Sequence, residues 1–155
     1  MRIRNIDKNI SDDLLQVYKV FRAAYAVEAE ILDVPPTSFF PLTLTLEDLE
    51  KSEDEIFGIE VDGTLAGAIF LEKSNHTITI SSLVVDPKYF RKGLGKSLIN
   101  YVLQKYRTMN FLAGTGSKNI PAIKLYEKFG FQATSEETVE PSIRRVNLKR
   151  LARDH

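Results

Sequence analysis

Cysteine is absent from this chain of 155 residues, and histidine occurs only twice, as His76 and His155. The absence of cysteine excludes disulfides, thiolate metal ligands and a cysteine nucleophile. Two histidines that lie far apart in the sequence argue against a structural zinc site. We therefore predict a protein that carries no metal ion.

The chain also lacks an excess of charge of either sign and any long apolar run. It has 21 Lys+Arg against 21 Asp+Glu, so no global charge attracts it to nucleic acid or to a membrane surface. No apolar run reaches transmembrane length, and the N-terminal MRIRNID has no apolar core of a signal peptide. We expect a cytoplasmic protein that binds neither nucleic acid nor membranes, with residues 1–155 in one domain.

The spacing of apolar residues predicts a mixed α/β domain. Alternating and β-branched runs predict strands at 2–6, 56–61, 64–72, 76–85, 111–115, 131–139 and 143–151, the last two separated at Pro141. Helical spacing predicts helices at 11–32, 45–52, 94–105 and 119–129. Because three strands follow one another in series, we expect a largely antiparallel sheet flanked by helices.

Cap and breaker residues mark several of the predicted ends. Ser11 is the expected cap of the first helix, and Thr45 with Asp48 resembles a capping box. Gly130 predicts a left-handed cap at the end of the last helix. The prolines within 33–43 exclude an α-helix there.

A glycine-rich stretch, YFRKGLGKSL (residues 89–98), leads into the third predicted helix. A helix N-terminus presents free N–H groups and a positive dipole end, so this stretch predicts a phosphate-binding loop. Gly93 and Gly95 let the backbone approach a phosphate closely. Three flanking side chains add positive charge: Arg91, Lys92 and Lys96.

Two nucleotide-binding loops are alternatives for this stretch. The P-loop, G-x-x-x-x-G-K-[ST], matches Gly95-Lys96-Ser97, but Phe90 stands where its leading glycine is needed. The dinucleotide fingerprint, G-x-G-x-x-G, meets Leu98 in place of its third glycine. The fingerprint also requires a parallel βαβ unit, whereas the preceding strands read as an antiparallel series. Both alternatives are therefore weak.

The stretch resembles the pyrophosphate loop of the GNAT acetyltransferase superfamily, [QR]-x-x-G-x-[GA], with Gly93 and Gly95 at its two small positions. Phe90 departs from the Gln/Arg position, and Arg91 and Lys92 are the candidates to compensate for it. A second motif, NIPAIKLYEKFGF (119–131), resembles the family's N-x-x-A-x-x-L-Y-x-x-x-G-F. The predicted order of elements over nearly the whole chain also resembles this family.

The resemblance implies a GNAT fold in which the fourth and fifth strands splay apart around acetyl-CoA, the cosubstrate that acetylates a primary amine. Residues 83–85 would offer backbone groups to its pantetheine arm and acetyl carbonyl, and residues 90–96 would hold its pyrophosphate. The cofactor-binding residues so implied are Leu83, Val84, Val85, Phe90, Arg91, Lys92, Gly93, Leu94, Gly95, Lys96, Asn119 and Tyr126.

The resemblance also implies that Tyr126 is catalytic and protonates the departing thiolate. Asn119 and Tyr126 are seven residues apart, so both lie on nearly the same face of a helix and can meet one ligand. By pattern alone, Tyr126 is a core aromatic and Asn119 is an N-cap. The structural and the functional roles can coexist.

No general base is evident. Ser81 and Gly114 stand where members of the resembled family often carry a glutamate, and neither can take a proton from an ammonium. We hypothesise that water takes this proton and that Glu28 or Glu30 on the first helix attracts the amine. The alternative for both glutamates is a solvated helix face. The missing glutamates also leave a non-catalytic acyl-CoA binding or sensing module open.

The acceptor is not defined by the sequence. A small amine, an antibiotic, a protein N-terminus and a lysine side chain all remain open, and so does homodimer formation. The basic residues near the C-terminus are interpreted as a solvated strand face, with acidic acceptors or nucleic acid as the alternative. These residues are Arg144, Arg145, Lys149 and Arg150.

Overall fold

The computed structural model describes residues 1–140 and 143–152, which form a seven-stranded sheet. The strands are β1 (Arg2–Asn5), β2 (Glu55–Val61), β3 (Thr64–Lys73), β4 (Thr77–Val85), β5 (Asn110–Gly116), β6 (Gln132–Glu140) and β7 (Ile143–Arg150). Across the sheet their order is β1-β2-β3-β4-β5-β7-β6. Every neighbouring pair is antiparallel except β4 and β5. The prediction of a mixed, largely antiparallel sheet is confirmed.

Helices cover both faces of the sheet. They are α1 (Ser11–Ile31), α2 (Leu46–Lys51), α3 (Leu94–Lys105) and α4 (Ile120–Lys128). On one face, α1 packs Val17 and Phe21 against Phe70 of β3. On the other face, α3 packs Leu98 into a larger core with Phe111 of β5. The apolar residues of each helix recur at three- and four-residue spacing, so one stripe of the helix is buried against the sheet.

The parallel pair β4–β5 opens into a split. The two strands are in register only from Thr77 opposite Asn110 to Thr79 opposite Leu112. On its other edge, β4 stays paired with β3 as far as Val85. Because β4 loses its second partner after Thr79, the two strands diverge, and the predicted splay of the fourth and fifth strands is confirmed.

Most cap and breaker predictions agree with the structure. Thr45 and Asp48 form a capping box, and Gly130 has a φ of 88°. The prediction that Ser11 caps the first helix is wrong. Ile10 holds the cap position, because its carbonyl already accepts from the N–H of Leu14.

The proline-rich segment forms two short 3-10 helices, Pro36–Ser38 and Phe40–Thr43, in place of an α-helix. Pro is tolerated in their first turns because the N–H that it lacks would have no helical partner there. Pro141, at which the last two strands were predicted to separate, lies outside the described residues.

Two features are absent from residues 1–140 and 143–152. No group of three or more His, Cys, Asp or Glu in these ranges is placed to hold a metal ion. In the same ranges, no helix combines the length and the apolar character that crossing a membrane requires.

Candidate active site

The glycine loop turns the chain into α3 and leaves free backbone donors. Arg91 and Gly93 have positive φ values of 65° and 76°, and Gly93 is the cap residue. The first helical bond runs from the N–H of Ser97 to the carbonyl of Gly93. The N–H groups of residues 94–96 therefore lack a helical partner. These donors and the positive end of the helix dipole suit an anion.

The side chains around the loop divide into solvent-facing and core-facing groups. Arg91, Lys92 and Lys96 are exposed, and none of them forms an ion pair within the part of the chain that the structure describes. Phe90 is 44% exposed. Leu94, by contrast, is 2% exposed, so only its backbone can meet a ligand.

Gly95 lies in the first turn of α3 and faces an apolar wall. A Cβ at this position would lie 3.3 Å from Cδ2 of Leu125 and 3.9 Å from Cδ2 of Leu83 and Cγ2 of Val85. The wall therefore combines α4 with the diverging end of β4. Glycine leaves space along this wall that a longer side chain would fill.

The predicted backbone site at 83–85 lies on the split. These residues pair with β3 on one edge, and within the described residues β5 does not pair with them on the other. Val84 is buried toward α1, whereas Leu83 and Val85 pack toward α3 and α4. The backbone groups that point away from β3 are therefore free for a ligand.

A carboxylate of α1 closes the open end of the split. Oε1 of Glu28 accepts from Nδ2 of Asn119 at 2.9 Å and from Oγ1 of Thr115 at 3.2 Å. Asn119 also caps α4, where its Oδ1 accepts from the N–H of Ala122 at 3.4 Å. Glu28 thus joins α1 to β5 and α4. Glu30, the other candidate for amine binding, is exposed to solvent.

Tyr126 lies in the core, within electrostatic range of this carboxylate. The residue is 4% exposed, and its ring centroid lies 5.2 Å from that of Phe131. The hydroxyl makes no hydrogen bond with any residue that the structure describes. Burial raises the pKa of Tyr126, and Tyr25 and the negative charge of Glu28 raise it further. Tyr126 is therefore a protonated donor at neutral pH.

The serines of β4 differ in where they lie. The β3–β4 register pairs Phe70 with Ser82 and Leu71 with Ile80, so Ser81 is the extra residue of a bulge. Ser81 is exposed, whereas Oγ of Ser82 accepts from the Tyr25 hydroxyl at 2.8 Å. The hydroxyl that faces α1 is therefore that of Ser82, and the carboxylate that Asn119 contacts is that of Glu28.

The interpretation of the C-terminal basic residues as a solvated strand face holds only in part. Arg144 and Lys149 are exposed. Arg150 donates from Nε to the carbonyl of Phe129 at 2.7 Å. Arg145 is half-buried and turns toward the split.

Arg145 lies over the backbone of Gly114. A Cβ at residue 114 would overlap the Arg145 guanidinium, so only glycine admits this arrangement without displacement. Sequence reasoning missed the contact, although a glycine inside an apolar strand is a sign of close approach by another group. The group that approaches could not be named until the pairing of β5 with β7 was known.

Comparison with known proteins adds three findings: the match of a family model, the similarity to two relatives and the similarity to a solved structure. The sequence model of a family described as the acetyltransferase (GNAT) family matches residues 14–131. UPF0157 protein YqkA of Bacillus subtilis (strain 168) is 36% identical over 120 residues, which make up 76% of this chain and 33% of that protein. Spermine/spermidine N(1)-acetyltransferase of the same organism is 31% identical over an alignment of 91 residues, and the match covers 51% of this chain and 60% of that protein. The chain thus spans less than two thirds of the length of either relative.

The third finding is structural. The crystal structure of PaiA N-acetyltransferase from Thermoplasma acidophilum in complex with coenzyme A superposes with a TM-score of 0.70. The alignment covers 97% of this chain and 100% of that one at 19% identity. At this identity the likeness shows a shared fold, including the arrangement of sheet and helices around the split.

Proposed function

Because the chain belongs to the acetyltransferase (GNAT) family, we propose that it transfers an acetyl group from acetyl-CoA to a primary amine that attacks the thioester carbonyl directly. One arrangement carries this proposal. The β4–β5 split has a helix N-terminus suited to an anion at one side, and Tyr126 with the Glu28 carboxylate at the other. The relative named as a spermine/spermidine N(1)-acetyltransferase and the neighbour solved with coenzyme A support it.

The described residues fit acetyl-CoA along the whole split. The free N–H groups and exposed cations of residues 90–96 suit the pyrophosphate. The unpaired backbone edge of residues 83–85 suits the pantetheine arm. The amide nitrogen of Asn119 has a second hydrogen beyond the one that it gives to Glu28. When bound, acetyl-CoA supplies the activated acyl group.

Each group of the chain has one task in the proposed reaction. A backbone N–H of residues 83–85 stabilises the negative charge that develops on the carbonyl oxygen. Glu28 attracts the incoming ammonium, and water carries its proton to solvent. The carbon–nitrogen bond forms, the carbon–sulfur bond breaks, and Tyr126 donates its proton to the sulfur. The proton that leaves the acylated nitrogen replaces the one that Tyr126 has given up.

The reaction is tested by release of the coenzyme A thiol. The protein is incubated with acetyl-CoA and, in turn, with amino acids, spermidine, and peptides that carry a lysine or a free N-terminus. We expect thiol release above the rate without amine for at least one class, with the acetylated amine found by mass spectrometry. Binding of acetyl-CoA without transfer to any amine would contradict the proposal and favour a non-catalytic acyl-CoA binding module.

Glu28→Gln should raise the acceptor KM and leave the acetyl-CoA KM unchanged. Glutamine keeps an oxygen that can accept from Asn119 and Thr115, so the substitution removes the charge and preserves the local contacts. Hydrogen bonds to charged groups contribute about 1.5–3 kcal/mol, which corresponds to roughly a 10–100-fold rise in KM. Steady-state kinetics with an acceptor found in the thiol assay measures both KM values.

Glu30→Gln is the matched control. It removes the same charge from an exposed position of the same helix, so its acceptor KM should equal that of the wild type. Equal acceptor KM values in the wild type and Glu28→Gln would show that Glu28 does not hold the amine.

A further inference from the structure

Arg145 is a half-buried cation beside β5, one of the two strands that border the split. It lies on β7, opposite Gly116 of β5, and its guanidinium extends over Gly114. The positive charge of Arg145 acts to lower the pKa of both Tyr25 and Tyr126, against the larger effect of burial. The guanidinium therefore lies within electrostatic range of the same two tyrosines on which the Glu28 carboxylate acts.

The groups around Arg145 leave its charge without a balancing anion. Its Nε donates to Oδ1 of Asn147 at 3.2 Å, a neutral partner. Glu137 lies opposite Arg145 in the β6–β7 register, but its carboxylate is oriented toward Nδ2 of Asn147, at 3.5 Å. Among the residues that the structure describes, neither Arg145 nor Glu28 takes part in an ion pair.

The two unpaired charges approach β5 at adjacent positions, and both of them act on the pKa of Tyr25 and of Tyr126. Glu28 accepts from the hydroxyl of Thr115, and Arg145 lies over Gly114. Guanidinium groups present a planar fork that matches carboxylate and phosphate oxygens. We propose that the acceptor is a small amine that also carries an anionic oxygen group, which Arg145 binds while Glu28 holds the ammonium. This inference rests on the proposed function, because it assigns the acceptor of the same site.

A polyamine is a poor match for this arrangement. Spermidine carries only positive charges, and a second ammonium would approach the Arg145 guanidinium. Like charges brought together in a partly desolvated site are unfavourable. The inference therefore separates this chain from the polyamine acceptor that is named for one of its relatives.

The binding of candidate amines to the protein in the presence of coenzyme A tests the inference without requiring turnover. Titration calorimetry compares the twenty amino acids with their C-terminal amides, and phosphoethanolamine with ethanolamine. We expect at least one anionic amine to bind roughly 10–100-fold more tightly than its neutral counterpart, as for a hydrogen bond to a charged group. The two series distinguish a carboxylate from a phosphate. The inference is overturned if no anionic amine binds more tightly than its neutral counterpart, or if spermidine binds as tightly as the anionic amines. This outcome does not depend on whether acetyl transfer occurs.

Three variants assign the preference to Arg145. Arg145→Gln should abolish it, and Gly114→Ala should reduce it, because the new Cβ displaces the guanidinium while keeping its charge. Glu137→Gln removes the carboxylate that lies opposite Arg145 in the β6–β7 register and should leave the preference unchanged. Circular dichroism and thermal unfolding confirm that each variant is folded. A wild-type preference in folded Arg145→Gln would refute the assignment.

Discussion

Tyr126→Phe should lower kcat by about 10²–10⁴-fold, the usual contribution of general acid–base catalysis. The acetyl-CoA KM should change little, because proton donation matters only as the thiolate leaves. The ring keeps its packing on Phe131, so the free energy of unfolding should be nearly unchanged. Steady-state kinetics and urea unfolding measure the two effects separately.

The pH dependence of kcat provides a second measurement on Tyr126. Burial and the Glu28 carboxylate both raise its pKa above the ordinary tyrosine value. The hydroxyl therefore stays protonated through neutral and mildly alkaline pH, and no loss of wild-type kcat in that range should come from its ionisation. Tyr101→Phe is the matched control for Tyr126→Phe and should keep the wild-type kcat, because Tyr101 packs on Phe57, away from the split. Wild-type kcat in Tyr126→Phe would assign Tyr126 to the core alone.

Gly95→Glu should weaken acetyl-CoA binding by about 100-fold or more. A glutamate would fill the space along the wall of Leu83, Val85 and Leu125. Overpacking alone costs about 1–3 kcal/mol, or up to roughly 100-fold in affinity. The carboxylate also places a negative charge at the anion site, beside the free N–H groups of α3. Titration calorimetry with acetyl-CoA measures the change.

Gly95→Ala separates bulk and charge from the loss of glycine itself. Its Cβ would sit 3.3 Å from Leu125, a tight contact that a small shift of the leucine relieves. Most of the acetyl-CoA affinity should therefore remain.

ATP should not bind appreciably to the wild type, because Phe90 replaces the leading glycine of a P-loop. Unaltered acetyl-CoA binding in folded Gly95→Glu, or tight binding of ATP, would contradict the placement of the anion at this loop.

Local conformation could be predicted closely from the sequence. The third helix was expected at 94–105 and is found at Leu94–Lys105, because the glycine loop before it and the apolar spacing within it are local features. The capping box at Thr45 was predicted for the same reason, since its two hydrogen bonds span three residues. Ser11 was misassigned because a cap depends on backbone angles one residue away, and a serine is also acceptable in the first turn.

Residues of the proposed site could be identified from the sequence only where they are close together in it. The loop around Gly95 and the motif from Asn119 to Tyr126 each lie within one short stretch, and their spacing alone places them on helix ends and faces. Glu28 was one of two equivalent candidates. Its hydrogen bond to Asn119 joins residues that are 91 positions apart, whereas Glu30 is exposed to solvent.

The sequence by itself therefore determined the helices and strands, the glycine loop and the family resemblance, because periodicity, caps and motifs depend on neighbouring residues. The tertiary structure decided which charges meet in the split. Glu28 reaches Asn119 because α1 packs over β3 and β4, beside the split, and Arg145 covers Gly114 because β7 pairs with β5 in one particular register. Such contacts follow from the packing and pairing of distant segments, which the spacing of residues along one segment does not specify.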